Sequence, residues 1–395
     1  VAPGCALDLM RRALGWAGSD GHAWSVRAKA LAQLERPDLA QAALWEGMRR
    51  APENSASRHQ LALLLSGTAG DGLPIREAVA LLRKLISVDP KNKQSHPELA
   101  RLLWLDGKAD EGIDLLYSHL KQVNDDVALY ALALLLTAEN RTKEARQAVA
   151  DYRRLFADDY GIKRVGEQLA AGPAGCKAAA DHLREHWGEK RRDKGREDGD
   201  YAPVVAWDAE ALERAMDGEL RDAPRLSRIA DVAEADLLFG LGDDGANHAR
   251  QKIDAALTRD ADDVFAHLVK ALAVPDHRAD LEGQAGRFDN VLPLRLALLP
   301  EDAQTATAQR FTLADRFHQQ RPLIALVGAA RGEAEPAERD VLDDWSRSDS
   351  SWREGWEKFL KTRVAGYLKG DIGAAALKPF AHDALSQALD VQAFA

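Results

Sequence analysis

Four stretches within the first 160 residues carry one pattern of apolar and small side chains at a period of about 34 residues. In the first stretch Trp24, Ala28, Leu31, Ala40, Leu44 and Pro52 fall at the spacing W-x3-A-x2-L-x8-A-x3-L-x7-P. The small residue Ala40 returns as Ala78, Gly112 and Ala145, and Pro52 returns as Pro90. A fixed period in this range marks supersecondary units that cannot bury their apolar faces alone and therefore stack. The small residues have a physical reason. Two antiparallel helices cross closely only where no large side chain stands between them.

Within the first unit, residues 23–34 place Trp24, Ala28, Leu31 and Leu34 on one helical face, and Pro37 suits the first turn of a second helix over 39–50. The second unit runs from about Ser55 to Pro90. Its small residues are displaced because Ser66 to Pro74 forms a longer inter-helix turn rich in glycine. Leu99, Ala100, Leu103, the turn at Gly107, Gly112, Leu115 and Leu116 make the third unit. Leu132, Ala133, Leu136, Ala145, Val149 and Tyr152 make the fourth, and a further helix pair is expected between Ile162 and Trp187.

This motif resembles the tetratricopeptide repeat over about residues 21–160, and weakly over 229–272. The resemblance implies an all-α fold, a right-handed helical-repeat solenoid, here followed by a degenerate helical C-terminal half. It further implies that the first helix of each unit lines a concave groove for a peptide or partner helix. Matched unit by unit, the groove positions are Lys29, His59, Arg101, Trp104 and Tyr130, with His22, Ser25, Leu63, Gln94 and Leu134 beside them. Lys29 and Arg101 are expected to pair with acidic groups of a partner, while Trp104 and Tyr130 supply apolar contact. Family members that clamp a terminal carboxylate use asparagines at such positions, and none of these residues is asparagine.

Residues 188–200 contain no apolar side chain and read as a charged linker. The expected organisation is an N-terminal cap over 1–20, a repeat solenoid over 21–187, the linker over 188–202 and a degenerate helical domain over 203–395. In the second half Ala235, Leu238, Ala249, Ile253 and Ala256 suggest one degenerate repeat, with Val264 to Leu272 opening the next. Helices are expected near 291–299, 304–317, 338–345, 351–367 and 374–390. Pro322 to Gly328 is short and apolar enough for either a strand or a buried helix.

Several motifs have a chemical and a structural reading. Gly240-Leu241-Gly242-Asp243-Asp244-Gly245 matches the dinucleotide fingerprint G-x-G-x-x-G literally, but that site needs a preceding strand. Ile229 to Phe239 has helical spacing, and two aspartates would repel phosphate, so a turn between helices is expected. His182 and His186 stand four apart on a helix but lack a third metal ligand. Paired aspartates at 125–126, 158–159, 243–244, 262–263 and 343–344 mostly precede helices, where carboxylates cap free N–H groups. Trp345, Trp352, Trp356, Phe359 and Tyr367 are read as a packed terminal core rather than an interface.

The chain carries a net charge of -10, which argues against a nucleic-acid partner. No apolar run reaches the roughly 20 residues of a membrane span, and Cys5 and Cys176 make neither a disulfide framework nor a metal site. Ala2-Pro3-Gly4-Cys5 is similar to the end of a lipoprotein signal, but the apolar stretch such a signal needs is missing and Pro3 fits it poorly, so a cytoplasmic protein is expected. There is no P-loop, nucleophile elbow or kinase signature. No cofactor, metal or catalytic residue is expected. Two functions stand: a non-catalytic scaffold or adaptor that binds a protein or peptide, as a subunit of a bacterial assembly, or an enzymatic or ligand-binding C-terminal half carried on a repeat domain.

Overall fold

The computed structural model describes residues 10, 14, 21–34, 36–52, 54–67, 72–90, 92–157, 159–184, 209–282, 285–348 and 354–392. Every regular element among them is a helix, and no helix is long and apolar enough to cross a membrane. In chain order the α-helices are α1 (Gly21–Gln33), α2 (Pro37–Arg50), α3 (Ser55–Gly67), α4 (Gly72–Val88), α5 (Ser95–Leu105), α6 (Ala109–Leu120), α7 (Asp126–Ala138), α8 (Thr142–Leu155), α9 (Tyr160–Ala170) and α10 (Pro173–Arg184). They continue as α11 (Ala209–Phe239), α12 (Asp243–Arg259), α13 (Val264–Ala273), α14 (Pro275–Glu282), α15 (Leu292–Ala297), α16 (Ala303–Arg316), α17 (Arg321–Arg331), α18 (Pro336–Arg347), α19 (Glu354–Lys369) and α20 (Lys378–Gln392). Pro322 to Gly328 is therefore helix, not strand. The charged run 188–202 lies outside the described residues, as does the N-terminal segment 1–20 apart from Met10 and Leu14.

Contacts divide the chain into two compact units that do not follow sequence order. Among the described residues, one is the contiguous stretch Ser55–Gly218, and the other joins Met10–Asn54 to Glu219–Ala395.

The contiguous unit is built from the hairpins α3–α4, α5–α6, α7–α8 and α9–α10, each packed on the next. The small residues sit where the repeat pattern places them. Ala62, Ala78, Ala100, Ala133 and Ala145 are all fully buried, and a Cβ on Gly112 would stand 2.8 Å from the carbonyl oxygen of Ala100. The turns repeat as well. Gly107 adopts φ 77°, and the Lys108 N–H then donates to Leu103 O at 2.8 Å, closing α5. Asn140 does the same at φ 56°, with Arg141 N–H donating to Leu136 O at 2.8 Å.

Asp125 fastens two of these helices directly and a third through a ring stack. Its Oδ1 accepts from Val127 N–H and Ala128 N–H at the start of α7, and its Oδ2 lies 2.9 Å from His119 Nε2 on α6. His96 on α5 stacks on the His119 ring at 3.9 Å. Burial holds the His96 pKa below its ordinary value. Capping is also the role of Asp159, Asp263 and Asp302. Asp343 departs from that expectation: it lies within α18 and pairs with Arg347 at 2.6 Å.

In the second unit α20 is the central element, packed against α2, α13, α15 and α17. Its buried face, Ala381, Ala384, Leu385 and Ala388, meets Leu294, Leu296, Ile324 and Val327 in one apolar core. Polar bonds tie the first hairpin into it: Arg27 pairs with Glu219 at 2.5 Å, Gln387 donates to the Arg49 carbonyl, and the Arg49 guanidinium lies over the Phe265 ring. Glu46 is buried between Arg49 and Arg50. Burial pushes its carboxyl upward, but the two guanidinium groups outweigh that and hold it below the usual range.

A second buried ion cluster joins α16, the turn that follows α17, and α18. Arg310, fully buried, donates to both oxygens of Glu338 at 2.7 and 3.1 Å and to Glu333 at 2.9 Å. Gly328 makes room for it, because a Cβ there would lie 2.9 Å from Arg310 Nε. In the C-terminal aromatic group, Trp345 and Tyr367 pack on the core and Phe359 meets Phe380 edge-on at 5.5 Å. The Trp352 and Trp356 side chains lie outside the described residues.

The glycine-rich run 240–245 closes the hairpin α11–α12. Gly242 takes φ 90°, and a Cβ on Gly245 would come within 2.4 Å of Leu238 O. The residues before it are helix, so the strand required for dinucleotide binding is absent here. The same arrangement occurs in α9–α10, where Gly172 takes φ 62° and a Cβ on Gly175 would stand 1.7 Å from Gln168 O. G-x-x-G thus serves twice as a device for a tight helical hairpin.

Candidate functional site

Of the five groove positions, Lys29 belongs to the interleaved unit, where it is exposed on α1. The other four belong to the contiguous unit, and three of them converge. Arg101 and Trp104 share α5, Tyr130 lies on α7, and the last turn of α10 covers all three. Tyr130 Oη is hydrogen-bonded to His182 Nε2 at 3.2 Å, Arg101 donates to the Leu183 carbonyl at 3.1 Å, and the Arg184 guanidinium lies 5.4 Å from the Trp104 ring centre. Three successive residues of α10 thus meet the three residues that the repeat pattern directs toward a partner. His59, on α3, is buried.

The consequence for Arg101 is large. Only 1 % of the residue is exposed, and its guanidinium binds both oxygens of Glu98, three residues earlier on the same helix, at 2.7 to 3.2 Å. Its charge and donors are used inside the unit instead of being presented to an acidic ligand. Tyr130 is buried too, with Gly161 against its ring. His182, weighed above as a metal ligand, is buried under Tyr130, and His186 lies outside the described residues. Among the described residues no group of three or more His, Cys, Asp or Glu could hold a metal ion.

Trp104 remains half-buried and borders an open pocket of about 280 Å³ lined by Leu105, Gly107, Ala109, Glu139 and Arg184. Two turns build it. α5 ends at Leu105 and reverses at Gly107, and α7 ends next to Glu139, so the helix ends bring an indole and a carboxylate together. The Trp104 Nε1–H donates to Glu139 Oε1 at 2.6 Å. The size is at the low end for ligand pockets, roughly 300–1,000 Å³, and suits one side chain better than a metabolite. Glu139 and Arg184 carry no periodic signal and were not expected from the sequence. Only their places at the ends of predicted helices could have pointed to them.

No protein-family model matches the chain, and no curated protein matches its sequence.

Proposed function

We propose that the chain is a cytoplasmic, non-catalytic interaction scaffold, similar in plan to tetratricopeptide-repeat proteins, that binds a protein or peptide and not a nucleic acid. The observation carrying this reading is the half-buried Trp104 beside a side-chain-sized pocket at the ends of repeated hairpins. Tryptophan is enriched among the residues that anchor partners. The net charge of -10 supports a protein over a polyphosphate partner.

The test is quantitative affinity capture from the native host with the wild-type chain and with Trp104→Ala, whose folding is checked by circular dichroism. A partner held in stoichiometric amount by the wild type and lost from the variant is expected. Equal capture by both chains, or turnover of a substrate by the purified protein, would sink the reading.

A further inference from the structure

We propose that the Trp104 pocket is a seat for an arginine side chain of the bound partner, and that Arg184 is the chain's own occupant of that seat. This rests on the interaction reading above and names the chemistry the partner brings. An indole face beside a carboxylate is a cation-recognising pair: the ring attracts positive charge over its face, and the carboxylate accepts charge-assisted hydrogen bonds. Both parts are in place. The indole N–H holds Glu139 through Oε1, and a carboxylate has a second oxygen that can accept from a further donor. Glu139 is exposed and pairs with no cation among the described residues.

The cation now over the ring is Arg184, and it is loosely held. Its hydrogen-bonding partner is Asp181 at 2.8 Å, and the two side chains are 59 % and 52 % exposed. Exposed pairs of this kind contribute little and exchange readily. Because this pair is exposed, displacing Arg184 from the ring would break no buried ion pair. A guanidinium entering in its place would lie flat on the indole and reach Glu139, whereas an ammonium offers neither the plane nor the fork of donors. An acidic group would meet the Glu139 carboxylate instead. With Arg101 neutralised by Glu98, this corner of the unit favours a basic partner over the acidic one expected from the repeat pattern.

The test uses the full chain labelled with ¹⁵N at tryptophan, with the Trp104 indole resonance assigned by its loss in Trp104→Phe. N-acetyl-arginine amide is titrated against wild type, Arg184→Ala and Glu139→Gln, with the corresponding lysine and glutamate amides as parallel arms. The arginine probe should shift the Trp104 resonance, bind several-fold more tightly to Arg184→Ala, and bind about tenfold more weakly to Glu139→Gln. The proposal is overturned if the arginine probe leaves the resonance unmoved in both wild type and Arg184→Ala. It is overturned equally if Glu139→Gln binds as well as wild type, or if the lysine or glutamate probe matches the arginine probe. A captured partner that ignores both substitutions would remove this proposal and leave the scaffold reading standing.

Discussion

Gly175→Ala tests whether close approach at the hairpin turns holds this fold together. A Cβ at this position would lie 1.7 Å from Gln168 O, where real contacts do not fall below 3.0 Å, so α10 must retreat from α9 by about 1.3 Å. The obstacle is backbone, so no rotamer change relieves it. Overpacking of this kind costs about 1–3 kcal/mol, and the gain in helix propensity from Gly to Ala returns at most about 1 kcal/mol. The net expectation is a loss of about 1–2 kcal/mol. Gly166, nine residues earlier in the same hairpin, is the control. Its Cβ would meet only the flexible end of Arg153 at 3.4 Å, so Gly166→Ala should stabilise by up to about 1 kcal/mol. Native-state hydrogen exchange over residues 160–184 reads both changes locally, with amides of the hairpin exchanging about 5–30-fold faster in Gly175→Ala. If Gly175→Ala exchanges no faster than Gly166→Ala, close approach at Gly175 does not hold the hairpin together.

Arg310→Met should destabilise the second unit by about 3–5 kcal/mol, measured by urea unfolding, because Glu333 and Glu338 lose their shared cation. Arg101→Glu should cost a similar amount in the first unit, since it sets a second carboxylate against Glu98 in a buried site; near-wild-type stability would place Arg101 at the surface. Burial, followed by the charges of Lys270 and His267, holds His277 down to about 4, below its ordinary value of about 6.5. The unfolded chain then binds the proton first, so stability should fall as pH drops from about 6.5 toward 4, and thermal melts of His277→Gln should show a shallower fall. Deleting residues 1–54 should abolish exchange protection in 219–395 while that of 72–184 persists, because α1 and α2 belong to the same unit as α20.

Much of the helix plan was legible in the sequence, for identifiable reasons. Period, turn residues and small side chains are local, and they placed the crossings at Ala78, Gly112 and Ala145 and the reversal at Gly107. The helices near 304–317 and 338–345 were found from apolar spacing alone and appear as Ala303–Arg316 and Pro336–Arg347. The partner of the first hairpin was not legible. Its W-x3-A pattern states which face is apolar and says nothing of what covers the outside, and the bonds that decide this, Arg27 to Glu219 and Gln387 to Arg49, join residues 192 and 338 positions apart. Arg101 was placed by repeat position as a ligand contact, yet the Glu98-x-x-Arg101 spacing was already a signal of an internal ion pair. The pocket itself depends on helix ends meeting, which no periodic pattern records.

The interleaved order of the two units bears on how the chain is made. At roughly 5–20 residues per second of synthesis, α1 and α2 leave the ribosome on the order of ten seconds or more before Glu219 and its successors exist. Arg27 and Arg49, whose partners Glu219, Phe265 and Gln387 come later in the chain, must wait through that interval, while Ser55–Gly218 can complete its own hairpins. The vulnerable nascent species is thus a finished middle with an unfinished beginning. Slower translation through 55–218 would lengthen its exposure and raise its demand for chaperones.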